Sequence, residues 1–132
     1  MFVDGRAKQN IIVYYKAWNA GYERAVADGL FRRDCCYNYL PTCDDIIKKT
    51  KEFRDKGGSF CIIDDFAMDI NKETAELFTV VAGHWNVIIC LLVQHLFPKN
   101  PCFRELSLNT TYIVMFKCIR FVCIVTIPAA GT

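Results

Sequence analysis

The chain has 132 residues, 53% hydrophobic and 14% aromatic, which suits one domain with a filled core and excludes a disordered chain. Sixteen basic residues against fourteen acidic ones leave a net charge of +2, so electrostatics makes no case for or against nucleic acid. The longest apolar runs, Val87–Val93 and Phe121–Ile127, fall short of the ~20 residues a membrane helix needs, and no membrane partner is expected.

Residues 1–10 carry no pattern and read as a frayed terminus, with Asp4, Arg6 and Lys8 breaking any signal-peptide core. Ile11–Tyr15, IIVYY, reads as a buried strand, and Ala20–Asp28 as a helix stopped by Gly29. Leu30–Leu40 takes no assignment. Thr42 and Asp45 form a near capping box for a helix with Ile46, Ile47, Thr50 and Phe53 on one stripe. Its lysines read as a solvated face. Gly57-Gly58 ends it and leads into GSFCIIDDF, Gly58–Phe66, a continuous apolar run expected to be a strand buried on both faces.

Asn71 caps a helix expected to reach about Val81, with Gly83 as its stop. Val87–Val93, VIICLLV, is a further apolar strand with Gln94 at its end. Asn100-Pro101 opens a short helix to about Leu108, and Thr111–Lys117 is a fourth strand. Strands therefore alternate with helices, which predicts an α/β fold with a parallel sheet. The domain is expected to span residues 11–117, and residues 118–132 to be a divergent apolar tail.

Eight cysteines would suggest disulfides or zinc, but the spacing opposes both. Cys35 and Cys36 are adjacent, no C-x-x-C occurs, and neither His84 nor His95 is spaced with cysteines as a ligand. Cys61, Cys90, Cys118 and Cys123 lie in apolar runs, where a thiol behaves as a small hydrophobe. The expectation is a reduced, intracellular protein without a thiolate metal site.

The chemistry-bearing stretch is the acidic pair at the end of FCIIDDF. A hydrophobic strand running into Asp-Asp is the Walker B pattern, in which the first acid holds Mg²⁺ and the second orients the attacking water. The bland alternative is that Asp64 or Asp65 caps a helix. The longer string favours the first. FCIIDDF, ELFT at Glu76–Thr79, HWN at His84–Asn86, VIICLLVQHLF and LSLNTTYIVMFK resemble the FtsK–HerA-type packaging ATPases of poxviruses and Maverick/Polinton elements. YYKAW, Tyr14–Trp18, is similar to the strand that follows the P-loop helix in that group.

The resemblance covers roughly residues 11–120 and implies an incomplete three-layer P-loop sheet of the RecA/ASCE type, with four strands alternating with helices. It makes Asp64 the Mg²⁺ acid, Asp65 the water-orienting acid and Gln94 the γ-phosphate sensor. It implies Mg²⁺ and ATP as the family's cofactors, none held tightly by this chain. Double-stranded DNA and a homo-oligomeric ring would be its partners.

Departures from the family are as informative. No G-x-x-x-x-G-K-[ST] occurs, so no loop supplies amides and a lysine to the phosphates. Trp85 stands where the family has an arginine, a candidate arginine finger. The stretch Cys118–Thr132 departs from the family string, as a frameshift or truncation would produce. The expectation is a fragment or degenerate copy of a DNA-packaging ATPase, inactive alone, with a non-catalytic α/β interaction module as the alternative. A receiver-like phosphoacceptor also joins an acidic pair to a strand-end lysine such as Lys117, but the order is wrong for it: one strand and two helices precede the pair, and only two strands follow before the pattern is lost.

Overall fold

The structure, a computed structural model, describes residues 10–66, 68–93, 101–108, 110–115 and 122–126. Six strands form one sheet: β1 (Ile11–Tyr14), β2 (Cys36–Tyr37), β3 (Ser59–Asp64), β4 (Val87–Val93), β5 (Tyr112–Met115) and β6 (Val122–Thr126). Their spatial order is β2-β1-β3-β4-β6-β5. The first four are mutually parallel, whereas β6 is antiparallel to both β4 and β5. β5 consequently runs in the same direction as β4. The α/β class and the strand–helix alternation are as expected, but the sheet holds six strands rather than four.

Both additional strands come from stretches without a clean sequence signal. β2 lies inside the unassigned Leu30–Leu40 and is only two residues long, too short to show a period. β6 lies in the tail beyond Lys117, and it pairs on both edges within the same sheet.

Helix α1 (Ala20–Ala27) packs on one face of the sheet, with Tyr22, Ala25 and Val26 against Ile11, Val13 and Phe31. The other face carries α2 (Cys43–Thr50), α3 (Lys72–Glu76), α4 (Ala82–Trp85) and α5 (Pro101–Leu108). Their Ile46, Ala75, Ala82, Phe103 and Leu106 join Ile12, Tyr14, Cys61 and Ile63 in the larger core. This division of faces follows from crossover handedness. The step from β1 to β2 goes one way across the sheet, and those to β3, β4 and β5 go the other way. A single right-handed crossover therefore places α1 on one side and the remaining helices on the other.

Local chemistry sets the helix ends. Thr42 Oγ1 accepts from the Asp45 amide at 3.1 Å, and Asn71 and Thr74 form a reciprocal capping box. Leu77–Val81 forms a π-helical turn between α3 and α4, and Gly83 does not stop the helix as expected. A helical glycine weakens a helix without breaking it. Asn86, at φ 56°, makes the left-handed exit instead. Among the described residues no helix is long and apolar enough to cross a membrane.

Candidate functional site

In a doubly wound sheet the ligand crevice opens where the chain switches direction, at the carboxyl ends of the strands. Here that point lies between β1, whose chain goes first to β2, and β3, which pairs on its other edge. Asp64 and Asp65 stand at the carboxyl end of β3, an interior strand flanked by parallel β1 and β4. The acidic pair is therefore where its sequence placed it.

The helix-cap alternative is excluded by position, because Asn71 caps the helix that follows. Asp64 is half-buried on the α1 face, since side chains alternate along the strand and Phe60 and Ile62 share that face. Asp65 has φ 67°, a left-handed conformation uncommon outside glycine that Asp and Asn tolerate best. Its amide still donates to the Leu92 carbonyl at 3.2 Å, continuing the β3–β4 ladder. The left-handed turn exposes Asp65, and Phe66 follows it back into the core.

Tyr22, Lys16 and Asp69, to which sequence reasoning gave no role, complete the crevice. The Tyr22 hydroxyl donates to Asp64 Oδ2. Lys16, just past the end of β1, donates to Asp69 Oδ2 at 2.7 Å and lies 5.8 Å from the Phe66 ring centroid. The available signal was Asn19: as N-cap of α1 it accepts from the amides of Gly21 and Tyr22, fixing Tyr22 in the first turn after β1. Tyr22 is held further by stacking on Trp18, whose indole donates to Glu23 Oε1 at 2.6 Å.

Electrostatics at the crevice is asymmetric. Burial raises the Asp64 pKa above the ordinary carboxylate value; the Tyr22 hydroxyl opposes that shift and the Asp65 charge adds to it. Tyr22 is raised as well, by burial first and then by its bond to Asp64. Lys16 is raised by the Asp69 carboxylate.

Gln94 and Lys117 lie outside the described residues. The strand that leads to Gln94 does run beside β3, with Asp64 opposite Leu92. Trp85 is at the other end of the sheet. It precedes β4, whose first residue pairs with Ser59, and it packs on the main core with Arg54 5.7 Å from its ring centroid. At about 3.3 Å per residue, roughly 17 Å of strand separates that end from Asp64.

Among the described residues no cluster of three or more His, Cys, Asp or Glu side chains is placed to hold a metal ion. Two adjacent carboxylates still suit Mg²⁺, which is commonly held by one or two carboxylates with phosphate and water completing its shell. A separate pocket of about 320 Å³ beside β2 is lined by Arg32, Asp34, Lys49 and Glu52 among others. Its cations are already committed, Arg32 to Asp34 and Lys49 to Asp45. Comparison with protein-family models, curated proteins and solved structures finds no match.

Proposed function

We propose that Asp64 and Asp65 form the Mg²⁺-dependent half of a P-loop-type nucleotide site, as in the FtsK–HerA packaging ATPases that the sequence resembles. The observation that supports this most is the placement of the pair at the carboxyl end of an interior parallel strand, with β4 beside it. Asp64 would hold the cation, and exposed Asp65 would face the phosphate side and orient water, with Gln94 as sensor. The phosphate cradle itself is absent from these 132 residues. Hydrolysis by this chain alone is therefore negligible, and a G-x-x-x-x-G-K-[ST] loop has to come from elsewhere. By the same resemblance the assembled motor would form a ring and move double-stranded DNA.

The test is Mg²⁺·ATP binding by the chain with a P-loop polypeptide supplied in trans. The reading expects binding that needs Mg²⁺ and weakens about tenfold or more in Asp64→Asn. Binding unchanged by Asp64→Asn, or none under any condition, contradicts it.

One observation favours a second reading. With β2 in place, two strands and two helices precede β3, and β4, β5 and β6 follow it, which answers both parts of the order objection to a phosphoacceptor aspartate. In that reading an Asp64 oxygen attacks the phosphorus of a small acyl phosphate and releases the carboxylate. Phosphoryl uptake from acetyl phosphate, lost in Asp64→Asn, would select it over the first.

A further inference from the structure

The Asp64 carboxylate presents its two oxygens unequally. Tyr22 donates its hydroxyl to Oδ2, and among the described residues no hydrogen-bond donor meets Oδ1. Asp64 is the last residue of β3 and pairs with Leu92 of β4, so the sheet fixes its backbone. Its side chain is half-buried on the α1 face, where Tyr22 arrives from the first turn of that helix.

The phenol is held as firmly as the carboxylate. The Tyr22 amide donates to the N-cap Asn19 at 3.3 Å. Its ring stacks on Trp18 at 5.1 Å between centroids and lies 5.7 Å from that of Tyr15. Both neighbours are anchored in turn. The Tyr15 amide donates to the Tyr37 carbonyl at 2.9 Å, which extends the β1–β2 ladder. Trp18 donates to Glu23, which also pairs with Arg33, and the Arg33 guanidinium lies 5.0 Å from the indole ring centroid. The hydroxyl therefore cannot leave Oδ2 without disturbing a cap, a stack and a ladder. Groups bonded behind a ligating carboxylate orient it and tune its affinity for metal.

The consequence for a cation is geometric. A carboxylate with one oxygen bonded to a fixed phenol presents the other oxygen alone to a metal. Mg²⁺ suits such ligation, because it demands octahedral geometry and keeps several of its waters. Ca²⁺ is larger, takes more ligands in flexible geometry and readily uses both oxygens of one carboxylate. We propose that Tyr22 makes Asp64 a one-oxygen ligand and thereby sets the preference of the crevice for Mg²⁺ over Ca²⁺. Tyr22 touches neither cation nor phosphate; it is a positioning residue that acts through Asp64. That a cation binds here at all rests on the nucleotide reading above, and the choice between cations is what Tyr22 adds to it.

Amide spectra of the full chain, titrated separately with magnesium chloride and calcium chloride, test this. Shifts at 64–66 give a dissociation constant for each cation, and their loss in Asp64→Asn shows that they report the crevice. Wild type should prefer Mg²⁺. In Tyr22→Phe the ratio of the two constants should move toward Ca²⁺ by about tenfold. The ratio is the decisive readout, because a variant that merely loosens the fold weakens both cations alike. Tyr39→Phe removes a phenol from Asp45 instead, and should lower stability while leaving the ratio in place. A wild type that prefers Ca²⁺ overturns the proposal and leaves the nucleotide reading standing. So does a ratio in Tyr22→Phe that is unchanged or moves further toward Mg²⁺. No cation-dependent shift at 64–66 in either protein overturns the cation assignment of the nucleotide reading, and the proposal with it.

Discussion

Asp64 is held in a state that costs the unliganded fold. Its pKa is raised by burial and by Asp65, so the native chain binds more protons than the unfolded chain just above the ordinary aspartate value near 3.9. Its contribution to stability therefore falls as pH rises through that window. Asp45 behaves oppositely. Burial raises its pKa, but hydrogen bonds from Tyr14 and Lys49 outweigh burial and leave the pKa lowered, so its contribution is lost as pH falls. Asp64→Asn keeps an acceptor for Tyr22 and removes the charge. Urea midpoints between pH 4 and pH 7 should show a flatter profile for the variant. Its Tm at pH 7 should be about 2–4 °C above wild type. A lower Tm with an unchanged profile would mean that Asp64 serves stability. Lys49 gives the contrasting structural case: its ammonium donates to Tyr39 at 2.6 Å and Asp45 at 3.0 Å, 3.3 Å from the Tyr37 ring centroid. Lys49→Met should cost about 1–3 kcal/mol in denaturant unfolding, because half-buried Asp45 loses the ammonium it pairs with.

At the scale of elements, the turn from α2 into β3 fixes the register of the crevice. Gly57 and Gly58 have φ 96° and 82°. A Cβ on Gly58 would stand 2.5 Å from the Asn86 carbonyl oxygen, the same oxygen that accepts from the Ser59 amide at 3.0 Å. Gly58→Ala should therefore destabilise by about 2 kcal/mol or more, from clash and left-handed strain together, as read from the shift in urea midpoint. The glycine pair, the Thr42 cap and the apolar run of β3 were all legible in the sequence, since each rests on local chemistry. Tyr22 and Lys16 were not, because their role depends on β1 and β3 being neighbours. Residues Tyr14 and Ile63 pair across the sheet at a separation no local period reports. The exit at Asn86 in place of Gly83 was missed for a related reason. Gly83 has no atom within 4 Å of a built Cβ, so nothing at that site demands that the helix end.

For the whole molecule, the alternation of strands and helices was legible in the sequence, whereas the order β2-β1-β3-β4 was not, because β2 carried no signal; given that order, right-handed crossovers divide the helices between the two faces. β6 could not be read that way. Its apolar run shows no period, and antiparallel insertion between two like-directed strands has no sequence signature. The most direct test of the central claim is an amide chemical-shift map of the full chain, with a P-loop polypeptide supplied in trans, on titration with Mg²⁺·ATP. The account predicts the largest changes at 15–16 and 64–66, dependent on Mg²⁺ and lost in Asp64→Asn. Changes centred instead on the pocket at Arg32 and Lys49, or changes that persist in Asp64→Asn, would contradict it.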